Sequence, residues 1–252
     1  MVTSSPTRFS VIIPAYNEER FLPRLLDSVE VARSAYRGGG PGAASAVEVI
    51  VADNSSTDKT AAIAVARGCR LAHVSRRSIA AARNGGAHVA SGEILCFVDA
   101  DSRIHPRTFE AIDAALDRGR ASAGATGVYL ERKSLGTLLT YYMIAPFAWL
   151  TGTDIGVVFC RREDFHAIGG YDESRLYAED VAFLLRLRRR CRERGHSLVR
   201  LRSVEALFST RKFDEFGDWH YFALALRLGV RLIAGQANDR EVADRYWYKP
   251  QR

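Results

Sequence analysis

Only four cysteines occur in the 252 residues, at positions 69, 96, 160 and 191, and none forms a Cys-x-x-Cys pair. That pattern argues against a zinc site and a secreted disulfide framework, and implies a reduced, cytoplasmic compartment. Met1 to Arg8 is polar and lacks the apolar core of a signal peptide, which implies the same. The stretch Gly38-Gly39-Gly40-Pro41-Gly42 lacks the Lys-Ser/Thr pair of a Walker loop, and reads as a surface loop before the second strand. Internal repeats and low-complexity segments are absent. One long uncharged run exists, Ser134 to Thr153, long enough to raise the question of a membrane span. It is interrupted by Ser134, Gly136, Thr137, Thr140, Tyr141, Tyr142, Pro146, Thr151 and Gly152, so a buried or interfacial amphipathic helix fits it better.

What is present is the composition of an ordinary globular chain, 47% hydrophobic and 26% charged, long enough to bury a sizeable core. The formal charge of +7 suits an acidic partner: a nucleotide diphosphate, a phospholipid surface or nucleic acid. Much of the excess lies in Arg186, Arg188, Arg189, Arg190, Arg192 and Arg194. These are expected mainly as the solvated face of one helix, with a basic membrane-facing patch as the other reading.

Periodicity predicts strands at Phe9–Pro14, Val47–Ala52, Arg70–Val74 and Ile94–Val98, separated by helical patterns through Phe21–Val29, Lys59–Ala66 and Ser78–Ala90. Such alternation over the first hundred residues predicts an α/β fold with a mostly parallel sheet flanked by helices. Beyond it the pattern loosens. A helix from Pro106 to Leu116, a strand over Ala121–Leu130 and an uncharged helix over Ser134–Leu150 are expected. A strand at Ile155–Cys160, a short helix at Arg162–Ile168 and a Gly169-Gly170-Tyr171-Asp172 turn follow. The helix Val181–Arg194, a last strand at Ser197–Arg202 and an aromatic-rich terminal helix, broken near Gly217 and Gly229, complete the reading.

The chemistry concentrates where strands end. Cys96-Phe97-Val98-Asp99-Ala100-Asp101 is an apolar run that stops on two carboxylates one residue apart. Alternate residues of an extended chain point the same way, so both acids can face one site at the carboxyl edge, where open α/β sheets bind ligands. Two hard oxygen donors suit Mg2+ or Mn2+ carrying a diphosphate. The loops Tyr16-Asn17-Glu18 and Asp53-Asn54 end strands on the same edge.

Four ordered motifs, VIIPAYNEE at 11–19, VADNSSTD at 51–58, ARNGGAHVASGEILCFVDADS at 82–102 and GGYDESRLYAED at 169–180, resemble the family 2 glycosyltransferases. The resemblance covers about Phe9 to Thr210. It implies a single domain of the glycosyltransferase-A fold: a nucleotide-sugar-binding half over about 9–102, an acceptor-side half over about 103–210 and a helical tail over 211–252. It also implies residue roles. Pro14, Ala15, Tyr16 and Glu18 match the loop that contacts base and ribose; Asp53 matches the acid on the base, commonly uracil; Arg83 falls near the basic residue beside it. Asp99 and Asp101 match the metal pair, with Asp101 the direct ligand and Asp99 nearer the nucleotide. Asp180 matches the catalytic base, with Glu179 beside it, and Arg211 and Lys212 are expected as cations for the leaving diphosphate.

The function implied is inverting, Mn2+- or Mg2+-dependent transfer of one sugar from a nucleotide-diphosphate sugar, with UDP-sugars favoured. The acceptor is a hydroxyl or lipid phosphate on a glycan, lipid or small molecule, and nucleic acid is not an expected partner. A cytoplasmic enzyme is expected, with peripheral contact at the inner face of the cell membrane. The missing Gln-x-x-Arg-Trp motif and multiple spans argue against processive synthesis. Plainer readings stand beside these. Asp53 is also a suitable helix cap, Glu179 and Asp180 suit the positive end of a helix dipole, and Arg83 is equally a structural arginine. A sugar-phosphate nucleotidyltransferase and a non-catalytic nucleotide-sugar-fold module are the rival functions.

Overall fold

β1 (Phe9–Ala15) is buried along its whole length, because helices cover both faces of the sheet it belongs to. Its alternate side chains sort accordingly. Phe9, Val11 and Ile13 pack with α1 (Leu22–Ala35) and α4 (Thr108–Asp117), through Leu22, Leu25, Phe109 and Ile112. Ile12 joins the opposite layer of α3 (Ile79–Val89), α5 (Arg162–Ala167) and α6 (Glu179–Glu193), with Ala80, Phe165, Phe183 and Leu187. The computed structural model describes residues 7–36, 46–140, 142–143, 156–175 and 179–219.

Seven strands form one sheet in the order β3-β2-β1-β4-β6-β5-β7. They are β1, β2 (Val47–Asp53), β3 (Arg70–His73), β4 (Ile94–Phe97), β5 (Ala121–Leu130), β6 (Val158–Arg161) and β7 (Ser197–Phe208). The first four pair in parallel, as do β5 and β7; only β6 runs against its two neighbours. The carboxyl ends of β1, β2, β4, β5 and β7 therefore share one edge, and β6 starts there. Gly86 lets α3 lie close on this sheet, since a Cβ there would collide with Ile12.

The expected mixture of strands and helices is present, with four adjustments. β7 does not stop at Arg202. Alternation resumes beyond it, with Val204 and Ala206 buried between exposed Ser203 and Glu205, and after a register shift it pairs with Val128–Leu130. α6 starts at Glu179 rather than Val181, which puts both acids in its first turn. The arginines of α6 are not all solvated. Arg186 donates to the Ile168 and Gly170 carbonyls, and Arg190 and Arg194 pair with the fully buried Asp164, because these three turn toward α5. Of the uncharged helix expected over Ser134–Leu150, residues 135–140 and 142–143 are helical.

The remainder of that expected helix, the Gly38–Gly42 loop and the terminal aromatic helix beyond Trp219 lie outside the described residues. α2 (Thr60–Ala66) covers β2 and β3, and α7 (Arg211–Phe216) ends at Gly217, as the expected break there requires. No helix among the described residues is long and apolar enough to cross a membrane.

Candidate active site

The loops that follow the first three strands are sewn to one another before any charged group is considered. Asn17, in the left-handed region at φ 54°, accepts the Thr57 N–H on its side-chain oxygen at 2.8 Å, and its own N–H reaches Ser56 Oγ at 3.0 Å. Glu18 N–H donates to Thr60 Oγ1 at 2.8 Å. Asn54 does the same for the next pair of loops. Its N–H donates to the Ala15 carbonyl, its side-chain amide to the carbonyls of Val74 and Arg76, and its side-chain oxygen accepts from Ser78 N–H. Asn54 is buried with its side-chain NH2 and oxygen all paired, which stiffens the rim.

Two guanidiniums organise the acids behind that rim. Arg83, from the first half of α3, is 4% exposed. Its Nη2 lies 2.8 Å from Asp99 Oδ1, and its Nη1 lies 3.0 Å from Glu179 Oε1 and 2.7 Å from Asp180 Oδ1. Burial opposes the charge of Arg83, but these acids outweigh it and hold the group cationic. Asp180 is pushed above the usual carboxylate range, first by desolvation, with Arg83 pulling the other way and Glu179 and Asp99 adding to the rise.

Arg211, at the start of α7, binds the other acids. Its Nη1 and Nη2 reach Glu18 at 2.8 and 2.6 Å, its Nε lies 2.9 Å from Asp101 Oδ2, and its guanidinium carbon sits 4.8 Å from the Phe21 ring centre. Burial pushes the Glu18 carboxyl up to about 7 despite the pull of Arg211, with Asp101 and Asp99 contributing. Glu18, Asp99, Asp101, Glu179 and Asp180 thus share two arginines at one sheet edge, a surplus of negative charge that would repel a diphosphate arriving without a cation. Among the described residues no three acidic, histidine or cysteine side chains converge tightly enough to hold a metal alone. Mg2+ and Mn2+ commonly take one or two carboxylates and complete their shell with phosphate oxygens and water, so the hard donors here fit such an ion brought with a diphosphate.

Residues 10–167 match the family described as glycosyl transferase family 2. The chain belongs to that family. Among curated relatives of this family 2 chain, the uncharacterized glycosyltransferase YibD of Escherichia coli is 30% identical over 114 residues, 43% of this chain and 30% of that protein. The chain spans less than half the length of the curated relatives it matches. Among solved structures, S. aureus TarS 1–349 in complex with UDP-GlcNAc superposes with a TM-score of 0.60 at 18% identity, over 95% of this chain and 70% of that one. Glucosyl-3-phosphoglycerate synthase from Mycobacterium tuberculosis, in complex with Mn2+, UDP and glucosyl-3-phosphoglycerate, gives 0.60 at 21%, over 92% and 81%. The family 2 chain has the glycosyltransferase-A fold.

The structure brings Glu18, Asp99, Asp101, Arg83, Glu179, Asp180 and Arg211 into one linked group. Pro14 and Ala15 close β1 opposite Ala52 and Asp53 of β2. Tyr16 lies beyond them with the Arg77 guanidinium 4.2 Å from its ring centre. Asp53 is buried and accepts Ser56 N–H, which makes a turn rather than a cap; Asp58 is the acid that accepts from Thr60 in the first turn of α2. The side chain of Lys212 lies outside the described residues.

Two residues that matter were not singled out in the sequence. Asn84 grips Tyr171 from both sides, donating to its carbonyl at 2.9 Å and accepting its N–H at 2.8 Å. Tyr171 lies under Arg83 with its ring stacked on Phe183 at 3.9 Å. Their signal was an Asn directly after Arg83 and an aromatic directly after Gly-Gly, neither of which has a meaning until α3 and the 169–172 turn are neighbours.

Proposed function

We propose that this chain transfers one sugar, with inversion, from a nucleotide-diphosphate donor, UDP-sugars favoured, to an acceptor hydroxyl or lipid phosphate. The observation that carries the reading is the meeting of Asp99, at the end of β4, with Asp180 of α6 across Arg83, while Arg211 holds Asp101 beside them. The acceptor oxygen attacks the anomeric carbon, the bond from that carbon to the diphosphate oxygen breaks, and the acceptor's proton passes to the carboxylate of Asp180. A raised proton affinity suits a base that must hold that proton at neutral pH. One carboxylate suffices for this, with Glu179 beside it.

Asp101, with Asp99, would hold the divalent cation, which when bound supplies charge neutralisation for the leaving diphosphate. Pro14, Ala15, Tyr16 and Glu18 line the donor side, and Asp53 is assigned to the base. Arg211 and Lys212 are assigned to the diphosphate. TarS with UDP-GlcNAc and the phosphoglycerate synthase with Mn2+ and UDP support the donor and ion chemistry by analogy of fold. The donor half comprises about 9–102, the acceptor side about 103–210 and a tail 211–252. The site of action is cytoplasmic, with peripheral contact at the inner membrane face.

Calorimetric titration of UDP, GDP and dTDP, each with and without Mn2+, tests the donor half. Binding of one nucleotide that needs both the ion and an intact Asp101, and so is lost in Asp101→Ala, is expected. No ion-linked binding of any nucleotide overturns the assignment. Asp180→Asn is expected to bind that nucleotide normally and to lose about 100- to 10,000-fold in turnover.

A further inference from the structure

Arg83 is one cation shared between two elements that lie 80 residues apart in the chain: the loop after β4 and the first turn of α6. Resting on the glycosyl-transfer reading above, we propose that Arg83 is a positioning residue. It sets the place of Asp180 relative to Asp99, and so of base relative to donor, and it acts through Asp180 rather than by touching the nucleotide.

The arrangement is built for that purpose. Nη1 serves Asp180 and Glu179 while Nη2 serves Asp99, so the planar fork fixes the separation of carboxylates that would otherwise repel each other. The guanidinium rests on the Tyr171 ring, 5.1 Å from its centre, and that ring stacks on Phe183, one turn along α6 from Asp180. The next residue, Asn84, holds the backbone of Tyr171 from both sides. α3 therefore grips the approach to the base at two consecutive positions, by charge and by hydrogen bonds. At 4% exposure Arg83 has almost no surface left to offer a nucleobase, and its Nε is enclosed with no hydrogen-bond partner. A base carboxylate must lie within hydrogen-bond reach of a hydroxyl aligned with the anomeric carbon, and a misplacement of about 1 Å costs roughly 100-fold. Lysine, a single-point cation, cannot reproduce the three-way span.

The test compares wild type with Arg83→Lys and, because full loss of the charge endangers folding, uses Arg83→Gln only as a second variant. Three readouts are taken: UDP affinity with Mn2+ by calorimetry, amide hydrogen exchange along 179–183, and UDP release from UDP-glucose and UDP-GlcNAc with water as acceptor. Arg83→Lys is expected to keep UDP affinity within about threefold, to exchange faster at 179–183 but not in β1, and to lose about 100-fold in turnover with donor KM unchanged. The double variant Arg83→Lys/Asp180→Asn is expected to be no slower than Asp180→Asn alone, since the two act as a unit.

A fall in UDP affinity of about tenfold or more with unchanged exchange at 179–183 overturns the proposal and returns Arg83 to the nucleotide. Independent, additive losses in the double variant overturn it as well. If wild type binds no nucleotide and releases no UDP, the glycosyl-transfer reading fails. The exchange comparison still decides whether Arg83 holds the first turn of α6.

Discussion

Arg83 and Arg211 do the same chemical task, each holding a pair or more of carboxylates at the cleft, yet they stand on different foundations. Arg83 rises from α3, which is pressed on the sheet between buried alanines and glycine, and its guanidinium lies on an aromatic stack of Tyr171, Phe183, Phe97 and Phe165. Arg211 opens the six-residue α7, touches one ring, and keeps 17% of its side chain exposed against 5% for Arg83. A cation fixed by the core preserves geometry, whereas one on a short helix nearer the surface can exchange partners. On the proposed function, the difference places rigidity beside Asp180, the acid assigned as base, and adaptability beside the residues assigned to the diphosphate.

The comparison is broken most severely by removing each charge. Arg83→Gln leaves three carboxylates unpaired around a buried position and is expected to cost about 3–5 kcal/mol, which for a chain of this size lowers the melting temperature by roughly 6–20 °C. Arg211→Gln, on its more exposed footing, is expected to lower it by less than half as much; equal losses in thermal denaturation would erase the distinction. The support beneath Arg83 is probed next. Gly170 has φ 67°, and a Cβ there would meet Asn84 Oδ1 at 2.7 Å, whereas Gly119 has φ 71° and open space. Both alanine variants carry the strain of the left-handed region, about 1 kcal/mol, but Gly170→Ala is expected to add roughly another 1–2 kcal/mol by prising Asn84 from Tyr171. Denaturant titration of the pair isolates that increment.

The Arg211 side is sharpened by pH. Glu18 binds its proton more tightly in the folded protein, at about 7, than at its ordinary value of 4.5. Between those limits the native state holds more protons than the unfolded one, so its contribution makes stability fall as pH rises. Urea midpoints from pH 4.5 to 7.5 should drop less steeply for Glu18→Gln than for wild type. The smallest effect belongs to the outer face of α6. Arg189 is 85% exposed and pairs with Glu193 one turn away, so Arg189→Ala is expected to change stability by less than about 0.5 kcal/mol.

Much of the first hundred residues was legible in the chain because its signals are local. Strand-ending acids, the polar loops at 16–18 and 53–58 and the alternation of β1 to β4 all depend on neighbours a few residues away. The pairing of Arg83 with Asp180 was not legible, since it joins residues 97 apart through an unpredicted contact between α3 and the 169–172 turn. The same holds for Arg211 and Glu18, 193 apart. Arg186, Arg190 and Arg194 misled for a related reason. A run of charges shows which helix they occupy but not that a buried Asp164 waits beneath one of its faces. β7 overran its expected end because the apolar period resumed after Arg202 and Ser203, with the partner strand supplying hydrogen bonds that no single segment reveals.

The reversed direction of β6 has a consequence for how such a protein diversifies. Because β5 finishes and β6 begins at the same edge, and Thr126 N–H donates to the Val157 carbonyl there, the chain that runs from one of these two residues to the other leaves and returns at one place in the sheet. Its length and content can change without opening the sheet or moving Asp99, since a longer loop adds little closure entropy. Exchanging residues 131–156 between relatives is therefore a way to vary that segment while the charge framework of Arg83 stays in place.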